Sequence, residues 1–391
     1  MNTDLIFDNT EIAFSLKSDS ELERAYFLFK MISIEPLVKI GTAATNFAIK
    51  AHLPIEGLIR STVFDHFCGG VNEEDCLPVI EKVYSKGVSS VLDYSVEGKA
   101  NEKEFDSARN MIVKIIAFAK DNDAIPIAVF KPTAFGRSYL YKKLGKSEVL
   151  TTEEQDEWSR VVQRFDDVCV KAKKYDVAVL IDAEESWTQD AADELVTDLM
   201  AKYNTEKAIV FNTLQMYRHD RQAFLEEEHK KAKEGNYFLG YKLVRGAYME
   251  KENDRAEEKG YASPICESKF ATDQNFNNSL HYIMNNLDCI SLFAGTHNED
   301  SSYLLMRLMN EKGLENNDSR IWFGQLYGMS DHISFNLAHK GYNVAKYMPF
   351  GPVRDVMPYL IRRAEENTSV AGQTGRELAL LTKEKKRRKH L

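Results

Sequence analysis

Val177-Ala-Val-Leu-Ile-Asp182 is apolar at five consecutive positions and then stops on a carboxylate. A strand wetted on one face alternates apolar and polar residues, whereas one apolar throughout is covered on both faces, as in a parallel sheet wrapped by helices. Similar short β-rich runs flank it: Val88 to Ser95, Ile125 to Lys131, Ala208 to Gln215, Tyr241 to Tyr248, Ile290 to His297, Ile321 to Tyr327 and Val344 to Pro349. Each interval between starts has room for a crossover helix, the last only narrowly. Eight strand–helix alternations point to an α/β fold closed as a (β/α)8 TIM barrel, with an open doubly wound sheet as the alternative.

Outside these runs the texture changes. From Ser18 to about Lys86 apolar residues recur at helical spacing, as in Leu22, Ala25, Tyr26 and Phe29, after a Ser-rich start. The expected organisation is a helical region over 1–87, a barrel over 88–370 and a basic tail over 371–391. In the tail six basic residues, Lys383, Lys385, Lys386, Arg387, Arg388 and Lys389, face the single acid Glu384. Such a run reads either as a solvated end or as a contact for an anionic membrane surface.

The 391 residues carry 43% hydrophobic and 28% charged side chains, which suits a soluble globular protein with a large core. A net charge of −9 repels phosphate backbones and argues against nucleic acid as a general partner. The five cysteines, Cys68, Cys76, Cys169, Cys266 and Cys289, form no C-x-x-C pair and suit a reducing compartment. No apolar run approaches the roughly 20 residues that span a bilayer, and the acidic start to Glu11 resembles no signal or transit peptide. The expected location is cytoplasmic.

In a parallel barrel the chemistry sits at the C-terminal strand ends, so the polar residues closing each run are the informative ones. In order they are Asp93 and Glu97; Lys131; Asp182; Gln215; Lys242, Arg245 and Tyr248; Thr296, His297 and Asn298; Gln325; and Tyr347. Any one of them could be an ordinary strand-end group; together they suggest a site. After the last run Tyr359, Arg362, Arg363 and Glu366 fall at i, i+3, i+4 and i+7 and share a helix face, with Pro358 expected in the first turn. Two adjacent guanidiniums favour a carboxylate ligand, although Arg362 and Glu366 could instead form a surface pair. No G-x-G-x-x-G, P-loop, H-E-x-x-H or G-x-S-x-G pattern occurs, so Rossmann, P-loop, metal and serine-hydrolase chemistries lack support and no metal is expected.

The segments Leu92-Asp-Tyr-Ser-Val-Glu97, Phe130-Lys131, Ile181-Asp-Ala-Glu-Glu185, Lys242-Leu-Val-Arg-Gly-Ala-Tyr248, Thr296-His-Asn298 and Tyr359-Leu-Ile-Arg-Arg-Ala-Glu-Glu-Asn367 occur in this order. As a set they resemble the FAD-dependent proline dehydrogenases. That resemblance implies a distorted barrel holding FAD at its mouth, oxidation of L-proline to Δ1-pyrroline-5-carboxylate by hydride transfer to the flavin N5, and reoxidation by a membrane quinone in proline catabolism. A peripheral place at the inner membrane face, reached through the basic tail, would follow.

Carried over residue by residue, the resemblance has Arg362, Arg363 and Lys131 hold the proline carboxylate, while Tyr347, Tyr359 and Leu326 pack on the ring. Asp182 would stand near the amine and orient Tyr248 and Arg363, and Glu97 would pair with Arg362 as a gate. Gln215, Lys242, Arg245, Gly246, Lys269, Thr296, His297, Asn298, Gln325 and Glu366 would contact the flavin or its nucleotide tail. A hydroxyproline dehydrogenase and a flavin or amino-acid binder without turnover are the rival readings.

Overall fold

The computed structural model describes residues 5–51, 56–95, 100–369 and 373–389. Eight strands, β1 (Val88–Tyr94), β2 (Ile127–Phe130), β3 (Ala178–Ile181), β4 (Val210–Gln215), β5 (Leu239–Val244), β6 (Ile290–Gly295), β7 (Ile321–Leu326) and β8 (Val344–Phe350), close into one barrel in sequence order. Pairing is parallel, with Val129 beside Leu180 and Val91 beside Tyr347. Closure excludes the open sheet. The strands are almost wholly buried, which is why their sequences lack alternation.

Helices follow each strand, and several begin where a side chain can satisfy an orphan N–H of the first turn. Asn101, Thr151, Ser268 and Asn298 each accept from the backbone N–H three residues on. The fifth strand departs from expectation. It starts at Leu239 and ends at Val244, four residues before Tyr248. Gly246 stands at φ +128°, and a Cβ there would meet the Tyr217 ring at 2.6 Å, so only glycine fits and the extended path ends. Tyr248 consequently precedes the helix Met249–Lys259 as its N-cap residue.

By packing, the chain divides into two compact units, Gly98–Gly324 and the pair of segments Met1–Glu97 and Gln325–Leu391. In the first unit, Phe130 stacks on Phe135 with centroids 4.5 Å apart, and Phe165 meets both edge-on. This anchors the turn that follows β2.

In the second unit, Ser18 and Glu21 form a capping box that opens the helix Asp19–Ile32, whose Leu22, Ala25, Phe29 and Ile32 are buried. Leu22, Ala25 and Phe29 pack with Ala13, Phe14, Leu380 and Leu381. The last two belong to a helix, Gln373–Lys389, that contains the whole basic run. The solvated-end reading is therefore corrected: two leucines, each 1% exposed, dock this helix. Four of the six cations in the basic run are tied within the unit. Lys383 Nζ donates to the Asp8 carbonyl at 2.7 Å, Lys385 pairs with Glu23 at 2.7 Å, and Arg387 and Arg388 both hold the buried Glu384 at 2.8 Å.

The helix after β8 runs Val353–Ser369 and places Pro358 inside it rather than in its first turn. The turn is set earlier, where the N–H groups of Asp355 and Val356 both donate to the Pro352 carbonyl. An ion triad lies in the same unit: Asp331 accepts from the buried Lys346 at 2.9 Å and pairs with the half-buried Lys17 at 3.1 Å. Lys346 Nζ also donates to the Met329 carbonyl. The two ammoniums outweigh burial and hold the Asp331 carboxyl far below its usual range, while burial pulls Lys346 down. His66, beside Lys17, is pushed down to about 3 by burial, then by that positive charge.

Candidate active site

Within the unit 98–324, β2 ends at Phe130 and Lys131 continues extended at φ −102°, ψ 144° before the short turn Pro132–Ala134. Lys131 is half-buried. Asp182 directly follows β3, and its N–H donates to the Phe130 carbonyl at 2.9 Å, which places the two strand ends side by side. Its carboxylate pairs with the buried Lys242 of β5. Lys242, which the resemblance puts at the flavin, here also holds the acid of a neighbouring strand end.

Glu184, two residues on, belongs to the Ile181–Glu185 segment, whose sequence alone gives it no role. It is buried, and its carboxylate accepts from both the N–H and the hydroxyl of Thr133, at 2.9 and 2.7 Å. Burial raises its carboxyl to about 7, against the pull of the Thr133 bonds and the Lys131 charge. Gln215, the buried last residue of β4, donates from Nε2 to the Glu184 carbonyl at 2.7 Å.

After β5, Arg245 lies over the Phe276 ring with its guanidinium carbon 4.5 Å from the centroid. It donates to Asp273 at 2.7 Å, Thr296 at 2.8 Å and Ser301 at 3.0 Å. Three of its five N–H groups are thereby engaged. Lys269, the exposed first residue of the helix Lys269–Asn285, pairs with the same Asp273 at 2.6 Å. After β6, Thr296 is buried and His297 half-buried, while Asn298 Oδ1 caps the helix Glu299–Glu311 by accepting from Ser301 N–H at 2.8 Å. Asn298 thus has a structural duty that its position at a strand end did not reveal.

Within the unit of the two terminal segments, Tyr347 lies in β8 and Tyr359 and Arg363 in the helix after it, all three buried, with Arg362 half-buried between the last two. The Arg363 guanidinium carbon stands 5.1 Å from the Tyr359 centroid, an i, i+4 stack that orients the cation. Leu326 ends β7, and its neighbour Gln325 accepts from the Ser334 hydroxyl at 2.8 Å. Tyr327 N–H donates to the Tyr347 carbonyl at 2.8 Å. Glu97 lies outside the described residues, as does the side chain of Glu366. Among the described residues, no group of three or more His, Cys, Asp or Glu side chains could hold a metal ion, and no helix is long and apolar enough to cross a membrane.

A sequence profile of the family described as proline dehydrogenase matches residues 76–376. Two curated relatives illustrate the likeness. The carbapenem antibiotics biosynthesis protein CarD of Pectobacterium carotovorum subsp. carotovorum is 35% identical over 334 residues, covering 85% of this chain and 86% of that protein. The mitochondrial proline dehydrogenase 1 of Arabidopsis thaliana is 31% identical over 422 residues, covering 96% and 85%. Among solved structures, proline utilization A (PutA) from Bdellovibrio bacteriovorus, inactivated by N-propargylglycine, superposes with a TM-score of 0.73 at 20% identity. That match covers 95% of this chain but 40% of the solved one, and it shows a shared fold.

Proposed function

The chain belongs to the proline dehydrogenase family, and on that premise we propose that it oxidises L-proline to Δ1-pyrroline-5-carboxylate with FAD as its cofactor and a quinone as the electron acceptor. What supports the reading is placement: the residues that match the family's motifs stand at the ends of β2 to β6 and on the helix after β8, where a parallel barrel carries its chemistry.

The donor set suits a flavin nucleotide. Arg245 has two N–H groups beyond its three protein bonds, Gln215 contributes an amide, and Gly246, whose Cβ side is taken by the Tyr217 ring, keeps the flavin contact that the resemblance implies. When bound, FAD supplies the acceptor for the hydride that leaves the ring carbon next to nitrogen. The chain's own residues do the positioning. Arg362, Arg363 and Lys131 hold the carboxylate, and Tyr347, Tyr359 and Leu326 shape the space for the ring. Asp182, paired with Lys242, stands for the amine side. Lys269, Thr296, His297 and Asn298 serve the nucleotide part, and Glu97 and Glu366 keep the gate and flavin roles that the resemblance implies.

Tyr347 carries the choice between substrates, because a buried ring in β8 leaves little room for an added hydroxyl and so favours proline over hydroxyproline. For the membrane, Lys386 and Lys389 are the exposed cations of the last helix that remain to meet an anionic surface. The deciding experiment is anaerobic titration of the purified protein with L-proline. Bleaching of a flavin absorption band is expected; a flavin that stays oxidised would reduce the protein to a binder.

A further inference from the structure

A surface helix needs one apolar stripe, the one it turns to the core. The helix Asp19–Ile32 has two. Leu22, Ala25, Phe29 and Ile32 are buried, while Phe27 and Met31, one turn apart on the opposite side, are exposed to 63% and 36%. The helix Glu35–Lys50 follows after Ser33 and Ile34, and its faces are the reverse of what folding asks. Val38, Thr42 and Thr45 are half-buried, whereas Leu37, Ile40 and Ala44, at i, i+3 and i+7, are exposed. The exposed residues are continuous across the connection, because Ile34 N–H donates to the Met31 carbonyl at 3.2 Å and Leu37 N–H to the Ile34 carbonyl at 2.9 Å. Five of the thirteen large apolar side chains exposed among the described residues, Phe27, Met31, Ile34, Leu37 and Ile40, thus fall within fourteen residues, and the others are spread along the chain. Scattered apolar residues on a surface need no explanation; a ridge of them does.

Charge selects the partner. From Arg24 to Lys50 the chain carries Arg24, Lys30, Lys39 and Lys50 against the single acid Glu35, in a protein of net charge −9. Glu35 is itself paired with Lys39 at 2.7 Å. A second copy seated face to face would bring these cations against their own kind, whereas an anionic lipid surface takes apolar side chains and cations together. The basic run of the last helix lies alongside. Lys385 pairs with Glu23 at 2.7 Å and stands 4.0 Å from the centroid of Tyr26, the residue before Phe27. Stable attachment to a bilayer takes two signals, and an apolar one and a basic one adjoin here on neighbouring helices.

We propose that the ridge from Phe27 to Ile40 inserts into the interfacial layer of an anionic membrane, with Lys30, Lys39, Lys386 and Lys389 at its headgroups. This rests on the membrane contact proposed above and gives it an apolar anchor. The helix Glu35–Lys50 also packs on the helix Val353–Ser369, which carries Arg362 and Arg363, so docking there sets the substrate helix beside the layer in which a quinone dissolves.

The test is flotation of the flavin-loaded full chain with vesicles of phosphatidylcholine and about 30% phosphatidylglycerol, at about 0.1 M and about 0.5 M salt. Wild type should bind at both, more weakly at the higher, since salt screens the cations but not the apolar contact. Phe27→Ser with Ile40→Ser should lower the partition coefficient by about tenfold or more at both salts, while the unfolding midpoint and turnover of L-proline with a soluble dye stay at wild type. Phe27→Lys with Ile40→Lys separates insertion from attraction, because it adds positive charge as it removes apolar surface. At about 0.5 M salt this variant should still bind roughly tenfold more weakly than wild type. A Ser variant that binds like wild type, or a Lys variant that binds more tightly at the higher salt, would overturn the ridge and leave the basic helix as the membrane contact. A wild-type dimer that the Ser pair converts to monomer in sedimentation velocity, with vesicle binding intact, would overturn it in favour of a second copy. Wild type that binds no vesicle at either salt would remove the membrane contact itself along with the ridge, a different failure.

Discussion

Two stretches of this chain are dense in charge, and they meet different fates. At the ends of β2, β3 and β5, Lys131, Asp182, Glu184 and Arg245 sit just after buried strands and Lys242 lies within β5; Asp182 pairs with Lys242, Glu184 accepts from Thr133 of the neighbouring turn, and Arg245 donates to Asp273. In the helix Gln373–Lys389 the cations outnumber the strand-end ones, yet Lys383, Lys385, Arg387 and Arg388 are spent on Asp8, Glu23 and Glu384. The difference lies in what carries the charges. A strand end points its polar residue away from a packed barrel, whereas a helix with Leu380 and Leu381 on its inner face lies flat on its neighbours and brings its cations to theirs. Charge density alone therefore identifies neither a ligand site nor a tail.

The comparison breaks hardest where charge serves packing. Asp331→Ala strands Lys346, 1% exposed, and Lys17 without their shared carboxylate, and should cost about 3–5 kcal/mol of stability in thermal or denaturant unfolding. The Asp331 carboxyl is depressed in the folded chain, so its contribution is complete above its unfolded pKa of about 3.9 and is lost as pH falls toward the folded value. Wild type should lose stability on acidification through that window more steeply than Asp331→Asn. Equal acid slopes would remove the triad from the account.

A smaller loss, and in binding rather than folding, is expected where charge serves a ligand. Arg363→Ala, and separately Arg362→Ala, should raise KM for proline by about 10- to 150-fold, corresponding to about 1.5–3 kcal/mol, while flavin content stays near wild type. Unchanged KM in both would take the clamp away. Tyr347→Ser should narrow the preference for proline over hydroxyproline, read as the ratio of the two kcat/KM values, by roughly tenfold. A ratio that does not move would dissociate Tyr347 from the ring.

The smallest effect separates the two kinds of cation within one helix. Lys386→Ala with Lys389→Ala should leave the unfolding midpoint within about 0.5 kcal/mol of wild type yet weaken binding to anionic vesicles at low salt by about 1 kcal/mol per charge. Removing the whole run would not test this, because it also takes away Glu384 and the ties to it. Vesicle binding equal to wild type would leave the helix a structural element alone.

The eight strands were legible because strands buried on both faces cannot hide their composition, and the residues closing them were legible because the chemistry of a barrel has a fixed end. The fifth strand was overrun by four residues: nothing in Arg245-Gly-Ala-Tyr248 discloses that the Tyr217 ring fills the space beside Gly246. The cap that Asn298 makes on the following helix was not legible beside its expected nucleotide contact, since both duties ask for the same amide. Glu184 escaped assignment because its partner, Thr133, lies 51 residues away and a hydrogen bond across that distance has no local signature.

The order of apolar runs by itself determined eight parallel strands buried on both faces, and the order of motifs determined the family; that the sheet closes on itself was decided in the fold, where β1 pairs with β8. Tertiary structure alone decided which charges are committed to one another. Asp182 with Lys242, Asp331 with Lys17 and Lys346, and Glu384 with Arg387 and Arg388 are each chosen by packing that brings or keeps them within about 3 Å, where loss of water makes a partner obligatory. Hydrophobic patterning is written along the chain because it is a property of each residue; ion pairing is a property of distance, and distance exists only in the fold.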